Sequence, residues 1–474
     1  MHNITKPLQL NKQRSDLARA LVTVGWFPVR CDPFNLERWK VGQCRLRDSA
    51  SKATDAHYSG KPRQRWSLKR TCCRVKDCVP IGNSSEMAAM LLKEVCIEVR
   101  RKLQCANVYL TFDKNFSECQ SAVKIILKSN EITIKYDGQT AVISLLTFFS
   151  IDQRSISSLV IEGNNVSFRV ILANETGSLD LLFDDDEPEE YKIINAPKDD
   201  IKVTMKKDQL YQLKCSNCEN TLLNERKCFS RVLELPSEFI GMSEWFCHKH
   251  DHVEHDLTPK ADDVFFGLYF IVINFTNICN VIDRDQFIYC KRCLKFLGEK
   301  VYRDKAVKIW NDSTCLDDNG TSQQLFAGND AECIHNIINK ILTENLLTSK
   351  LYSMQFVKIL FEATFPNRKR NFLMLNILER NLEILANFHV NNGEEISLES
   401  KKSLKVLFKA ENSADQPLVT FWKNDFNVQN VTVSHKMFTE FVRLLQSNAK
   451  LVPEIYRYNN GFMLSYFFLQ SCEQ

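Results

Sequence analysis

Glycine is scarce in this chain, 14 of 474 residues. A collagen-like repeat needs it at every third position and is excluded. No heptad pattern of apolar positions persists, which excludes a long coiled coil. Long apolar runs are also missing. The longest, Val264 to Phe275 (VFFGLYFIVINF), falls well short of the ~20 residues of a membrane-spanning helix, and it reads as a buried β-strand. The first residues, MHNITKPLQLNKQRSDLARA, contain no apolar core of the signal-peptide kind. The expectation is therefore an intracellular protein of the cytoplasm, with the nucleus as a second compartment and no membrane partner. There is no phosphate-cradling glycine loop, no HExxH, no GxSxG and no kinase signature, so ATP-driven chemistry and serine hydrolysis have no support.

What is present is ordinary globular material: 44% hydrophobic and 25% charged residues, with 31 phenylalanines. The length corresponds to about three domains. Charge is uneven. Residues 1–80 hold 17 Lys and Arg against 6 Asp and Glu, a surplus of 11, while the remainder holds 45 against 52. The remainder is mildly acidic, so no direct nucleic-acid partner is expected. Residues 1–90 mix basic residues with Ser, Gln and Pro, show no sustained period, and read as a basic, disordered extension. Cys72, Cys73 and Cys78 lie there without a matching second pair.

From about residue 92 the pattern turns to strands. VCIEVRRKL, NVYLTF and SAVKIILK are short runs of β-branched and aromatic residues, and Glu131 to Tyr136 alternates strictly. Alternation of this kind marks half-buried antiparallel strands, so residues 91–210 are expected to form a β-rich sandwich or barrel. The acidic run Asp184 to Glu190 has a proline and no glycine turn, unlike a calcium loop, and reads as solvated. Residues 211–300 form a central region with two zinc knuckles. In residues 301–474, Ala331 to Leu346 and Lys436 to Leu451 carry helical periodicity. Between them FLMLNI, EILANFHV and SLKVLFKA look strand-like. The expected fold class is α+β: a β-rich N-terminal domain, the zinc-knuckle region, and a mixed α+β C-terminal domain.

Eighteen cysteines in a reducing compartment do not make a disulfide framework. Four sit in CxxC pairs: Cys215 with Cys218, and Cys290 with Cys293. A CxxC turn brings two thiolates to one side of a tight loop, and two such turns complete a closed tetrahedral zinc site, which is structural. The 71 residues between the knuckles exceed a compact zinc ribbon and require an inserted unit. Each knuckle is entered from a strand-like run, and Leu297-Gly298 after the second reads as a tight turn. A thioredoxin-type pair would need a helix directly after the first cysteine, and neither knuckle offers one.

Between the knuckles lies Ser243-Glu244-Trp245-Phe246-Cys247-His248, followed by His250, His252 and His255. Imidazolium beside a thiol raises its thiolate fraction, so Cys247 is a candidate nucleophile, with core packing as the other reading. The three later histidines lie in a strongly polar stretch and read as surface. Thr314-Cys315 lies in a Gly/Asp-rich loop and reads as a chance dipeptide.

The ordered string of Cys215-Ser216-Asn217-Cys218, RVLELPSE (Arg231 to Glu238), EWFCH (Glu244 to His248), DDVFFGLYFIV (Asp262 to Val272) and YCKRCLKFLGE (Tyr289 to Glu299) resembles the HECT-like ubiquitin ligases that bind a ubiquitin-conjugating enzyme. The resemblance extends over residues 92–474 and is clearest over 210–300. It implies a ligase that accepts ubiquitin from a ubiquitin-conjugating enzyme and transfers it to substrate lysines, often for proteasomal degradation. It also implies a link to the endonuclease subunit of the mRNA 3′-end processing complex. There the segment matching Trp245, Cys247 and His248 would act as a plug in the nuclease metal centre. Some relatives carry cysteine where this chain has Phe246, so Cys247 holds any nucleophile or ligand role alone. A thioester relay and a metal plug both need one soft, exposed thiolate, and both stay open at this point.

Overall fold

The computed structural model describes residues 92–113, 115–116, 123–136, 139–173, 201–235, 258–318, 320–348, 357–388 and 396–469. The first part is all strand: β1 (Leu92–Arg100), β2 (Cys105–Phe112), β3 (Lys124–Lys128), β4 (Glu131–Tyr136), β5 (Gln139–Ser144), β6 (Ser157–Glu162) and β7 (Asn165–Ile171). The middle adds β8 (Leu210–Cys215), β9 (Lys227–Cys228), β10 (Arg231–Glu234), β11 (Asp263–Phe266), β12 (Phe270–Asn274) and β13 (Val281–Arg284). It continues with β14 (Phe287–Cys290), β15 (Phe296–Val301), β16 (Ala306–Trp310), β17 (Thr314–Asp318) and β18 (Thr321–Gln324). Then come α1 (Asp330–Thr348), β19 (Val357–Thr364), β20 (Arg370–Ala386), β21 (Glu399–Glu411), α2 (Pro417–Asn424) and β22 (Val428–Thr432). The chain closes with α3 (His435–Asn448), α4 (Glu454–Arg457), β23 (Tyr458–Asn459) and β24 (Phe462–Phe468).

The expected α+β class is corrected by this inventory. The described residues form twenty-four strands and four α-helices, so the described part is β-rich from its first strand to its last. The C-terminal part is not a mixed layer of its own. FLMLNI and the first four residues of EILANFHV, Glu383 to Ala386, fuse into the 17-residue β20, which pairs with β1 on one side and β21 on the other. One ten-stranded sheet therefore runs β23-β24-β21-β20-β1-β2-β7-β6, with β19 on β20 and β22 on β19. The physical reason is edge satisfaction. The exposed N–H and C=O row of a strand edge must be paired, and β20 is long enough to pair several strands. No local sequence pattern reports which edge that is.

The alternation at Glu131 to Tyr136 does give a strand, β4, flanked antiparallel by β3 and β5. Its Ile132 and Ile134 are buried with Val95, Ile97 and Val99 of β1 and Val108 and Leu110 of β2. The middle of the chain forms a seven-stranded sheet, β10-β11-β12-β16-β15-β14-β13, and a four-stranded sheet, β18-β17-β8-β9. Helix α1 buries Ile334, Ile337, Ile338 and Ile341, the face its periodicity predicts. A capping box starts it: Asn329 Oδ1 accepts from the Ala331 and Glu332 N–H groups, and Glu332 accepts from Asn329 N–H. Helix α3 packs Phe438, Phe441 and Leu445 into the same core, which also holds residues of the seven-stranded sheet and of β19 to β21.

Leu297-Gly298 is not a turn. It lies inside β15, where Gly298 pairs with Ile309. A Cβ on Gly298 would meet the Lys308 carbonyl oxygen at 1.8 Å, so the glycine permits close approach of β15 to β16. Residues 1–90 and the acidic run at 184–190 lie outside the described residues.

Candidate metal centre

The two CxxC knuckles repeat one backbone design. Strand β8 delivers Cys215 and strand β14 delivers Cys290. In the first, Glu219 N–H donates to Cys215 O and Cys215 N–H donates to Asn220 O. In the second, Leu294 N–H donates to Cys290 O and Cys290 N–H donates to Lys295 O. The residue after each second cysteine, Glu219 or Leu294, takes the left-handed conformation, with φ of 57° and 60°. That turn reverses the chain and holds the two sulfurs of each knuckle on one side.

The structure brings all four predicted ligands together. Their sulfurs lie within 4.8 Å of one another. Cys215 Sγ is 3.6 Å from Cys293 Sγ, and Cys218 Sγ is 3.6 Å from Cys290 Sγ. A disulfide needs ~2.05 Å, so these are free thiols. Zinc at ~2.3 Å from four tetrahedral sulfurs implies separations of about 3.8 Å, and the observed contacts match. The pairing crosses between knuckles, as a closed tetrahedron requires. The donor set therefore fits a metal ion with no position left for substrate.

The thiols differ in acidity. Burial pushes Cys215 up to about 12 and raises Cys218 as well. Burial acts upward on Cys293 too, but donation from the Asn217 side chain, the Lys295 amide and the neighbouring thiols brings it down to about 6.

Around the sulfurs sit groups that the sequence reading missed. Asn220 Nδ2 reaches Cys290 Sγ at 3.6 Å, and Arg292 donates to Cys218 O at 3.2 Å. Lys295 Nζ donates to Ser216 Oγ at 2.6 Å and to Asp312 O at 2.9 Å. The signal that was available is positional: Asn220 and Lys295 occupy the same place after their knuckles. Asp312 and Ser434 are remote in sequence and carry no local sign.

Trp245, Cys247 and His248 lie outside the described residues, as do His250, His252, His255, Cys72, Cys73 and Cys78. Thr314-Cys315 opens strand β17 rather than a loop. Thr314 pairs with Cys215, and Cys315 Sγ faces Lys214 O at 3.7 Å.

A β-rich protein braced by a closed four-cysteine centre is the class that fold and site define. A sequence profile described as HECT-like ubiquitin-conjugating enzyme (E2)-binding matches residues 98–464, more than half of the chain, and the chain belongs to that family. Among curated proteins it is similar to a human E3 ubiquitin-protein ligase, 22% identical over 289 residues that cover 53% of this chain and 71% of the relative. No solved structure shows a significant match.

Proposed function

We propose that this protein is a ubiquitin-protein ligase that accepts ubiquitin from a ubiquitin-conjugating enzyme and passes it to substrate lysines, marking them for the proteasome. The observation that carries the reading is the match to an E2-binding family over residues 98–464. The relative's name, a ubiquitin ligase, supports the same class. The four cysteines hold zinc in this reading. Zinc neutralises the thiolates and locks β8 to β14, and with every ligand position filled by protein it supplies no catalysis.

Cys247 is the proposed acceptor. Its thiolate attacks the thioester carbonyl on the conjugating enzyme, a new C–S bond forms, and the old one breaks with the enzyme's thiolate leaving. A lysine amine then attacks the Cys247 thioester, the thiolate leaves, and the proton of the new amide nitrogen passes to solvent. His248 and Trp245 flank that sulfur in sequence, as a charge partner and an aromatic contact for the incoming protein. The cytoplasm and nucleus are the proposed locations.

The test is an autoubiquitination assay with purified activating enzyme, conjugating enzyme and ubiquitin. Full-length protein should form polyubiquitin conjugates and a reducible ubiquitin adduct. Cys247→Ser should lose both while keeping its metal. No conjugates from the wild-type chain across a panel of conjugating enzymes refutes the ligase reading. Normal conjugation by Cys247→Ser refutes transfer through that thiol.

A further inference from the structure

Both knuckles close on one short turn, the Asn311–Ser313 3-10 segment between β16 and β17. Ser216, at the tip of the first knuckle, donates its N–H to Ser313 O at 3.1 Å and its hydroxyl to Asp312 O at 3.0 Å. Lys295, just past the second knuckle, bridges Ser216 Oγ and the same Asp312 carbonyl. One lysine thus joins the two halves of the metal centre through a single carbonyl, whose two lone pairs are both used.

The Asp312 side chain points the network onward. Its Oδ2 accepts from Ser434 Oγ at 2.8 Å. Ser434 is 1% exposed and caps helix α3, with its Oγ accepting from Met437 N–H at 3.2 Å. Metal centre and helix start are therefore connected through one residue, Asp312, whose backbone carbonyl meets the knuckles and whose carboxylate meets Ser434, across a sequence separation of 139 residues between Lys295 and Ser434. Four thiolates around a divalent cation carry excess negative charge. The Lys295 ammonium, hydrogen-bonded to a hydroxyl and a carbonyl beside the knuckle tips and within electrostatic reach of the Asp312 carboxylate, offsets part of it, and partners of this kind orient the ligands.

We propose that Lys295, Ser216 and Asp312 form a positioning strut that sets the spacing of the two knuckles for the metal and couples metal binding to the capped end of α3 through Ser434. The inference rests on the reading of Cys215, Cys218, Cys290 and Cys293 as a zinc centre. Coupling between two sites is reciprocal. The helix cap must then influence zinc affinity, although Ser434 touches no cysteine in the hydrogen bonds that define it. A merely structural cap would change helix stability and leave zinc affinity alone.

The experiment is competition for zinc between a chromophoric chelator and the full chain. Lys295→Met should bind zinc at least tenfold more weakly, at the low end of the ~10–100-fold loss on removing partners of this kind. Lys295→Arg should recover part of the loss, because its guanidinium can still bridge. Ser434→Ala should also weaken zinc binding. The double variant should lose less than the product of the two single losses, since both cut one network. With zinc saturating, the Met437 and Phe438 amides should exchange faster in Lys295→Met than in the wild type. Should Lys295→Met fail to fold, Ser216→Ala removes the same bridge and should show the same weakening. Wild-type zinc affinity in Lys295→Met, or in Ser216→Ala if that stands in, together with wild-type affinity in Ser434→Ala, overturns the strut. A wild-type chain that binds no zinc overturns the metal reading as well, and the wild-type titration alone reports that failure.

Discussion

Replacing Glu98 with glutamine removes one negative charge from the seam where β1 joins the C-terminal strands. Glu98 is fully buried. Its carboxylate accepts from Lys405 Nζ at 2.5 Å, Tyr466 OH at 2.8 Å, Arg100 Nη2 at 2.9 Å and Asn107 Nδ2 at 3.1 Å. Burial alone pushes this carboxyl upward, but the Lys405 and Arg100 charges and the donated hydrogen bonds outweigh it and hold it at about 2. Against an ordinary value of 4.5, that displacement corresponds to about 3 kcal/mol of folding stability. Breaking a buried ion pair from one side costs ~3–5 kcal/mol by an independent route, and the two figures agree. The folded value is depressed, so the stabilisation is present in full above the unfolded carboxylate value. It fades as pH falls from about 4.5 toward 2. Urea unfolding of the wild type and Glu98→Gln should therefore differ by about 3 kcal/mol near pH 7, by less than about 1 kcal/mol at about pH 2.5, and converge only below about pH 2. Glu98→Gln combined with Lys405→Met should recover part of the loss, because the uncompensated ammonium goes too. A Glu98→Gln protein within about 1 kcal/mol of the wild type at neutral pH (on the ~3 kcal/mol scale above), with the same acid dependence, refutes the reasoning.

Gly298→Ala should destabilise by ~3 kcal/mol or more, the upper range for overpacking, because its Cβ would meet the Lys308 carbonyl; thermal unfolding checks this, and an unchanged midpoint contradicts it. Elemental analysis of the purified chain should find one zinc per molecule, and Cys290→Ser should lose it. Zinc affinity should weaken as pH is lowered, since burial holds the Cys215 and Cys218 thiols protonated and metal binding must displace those protons; a pH-independent affinity would speak against thiolate ligation. Tyr466→Phe should cost about 2 kcal/mol by removing one buried hydrogen bond to the ionised Glu98 carboxylate, read by urea unfolding.

Local chemistry settled what local residues can settle. Cys215 with Cys218 and Cys290 with Cys293 were legible as two knuckles because a CxxC turn fixes its own geometry, and the fold then brings them into one cluster able to hold a metal ion. Ile334 to Ile341 were legible as a buried helical face, and Glu131 to Tyr136 as a strand, because side-chain period follows backbone conformation directly. The ordered motifs between Cys215 and Glu299 were enough to indicate the family. The α+β class failed because strand pairing is not a local property. Nothing in β20 states that it joins β1, nearly three hundred residues earlier, and only the closed hydrogen-bond ladder decides it. Gly298 was misread for the same reason, since glycine permits both a turn and a close strand approach, and the neighbouring Lys308 carbonyl chooses. Glu98, Asp312 and Ser434 are ordinary letters in sequence. Their roles come from burial in a medium that screens charge poorly, where a carboxylate or hydroxyl must find partners wherever the fold has placed them.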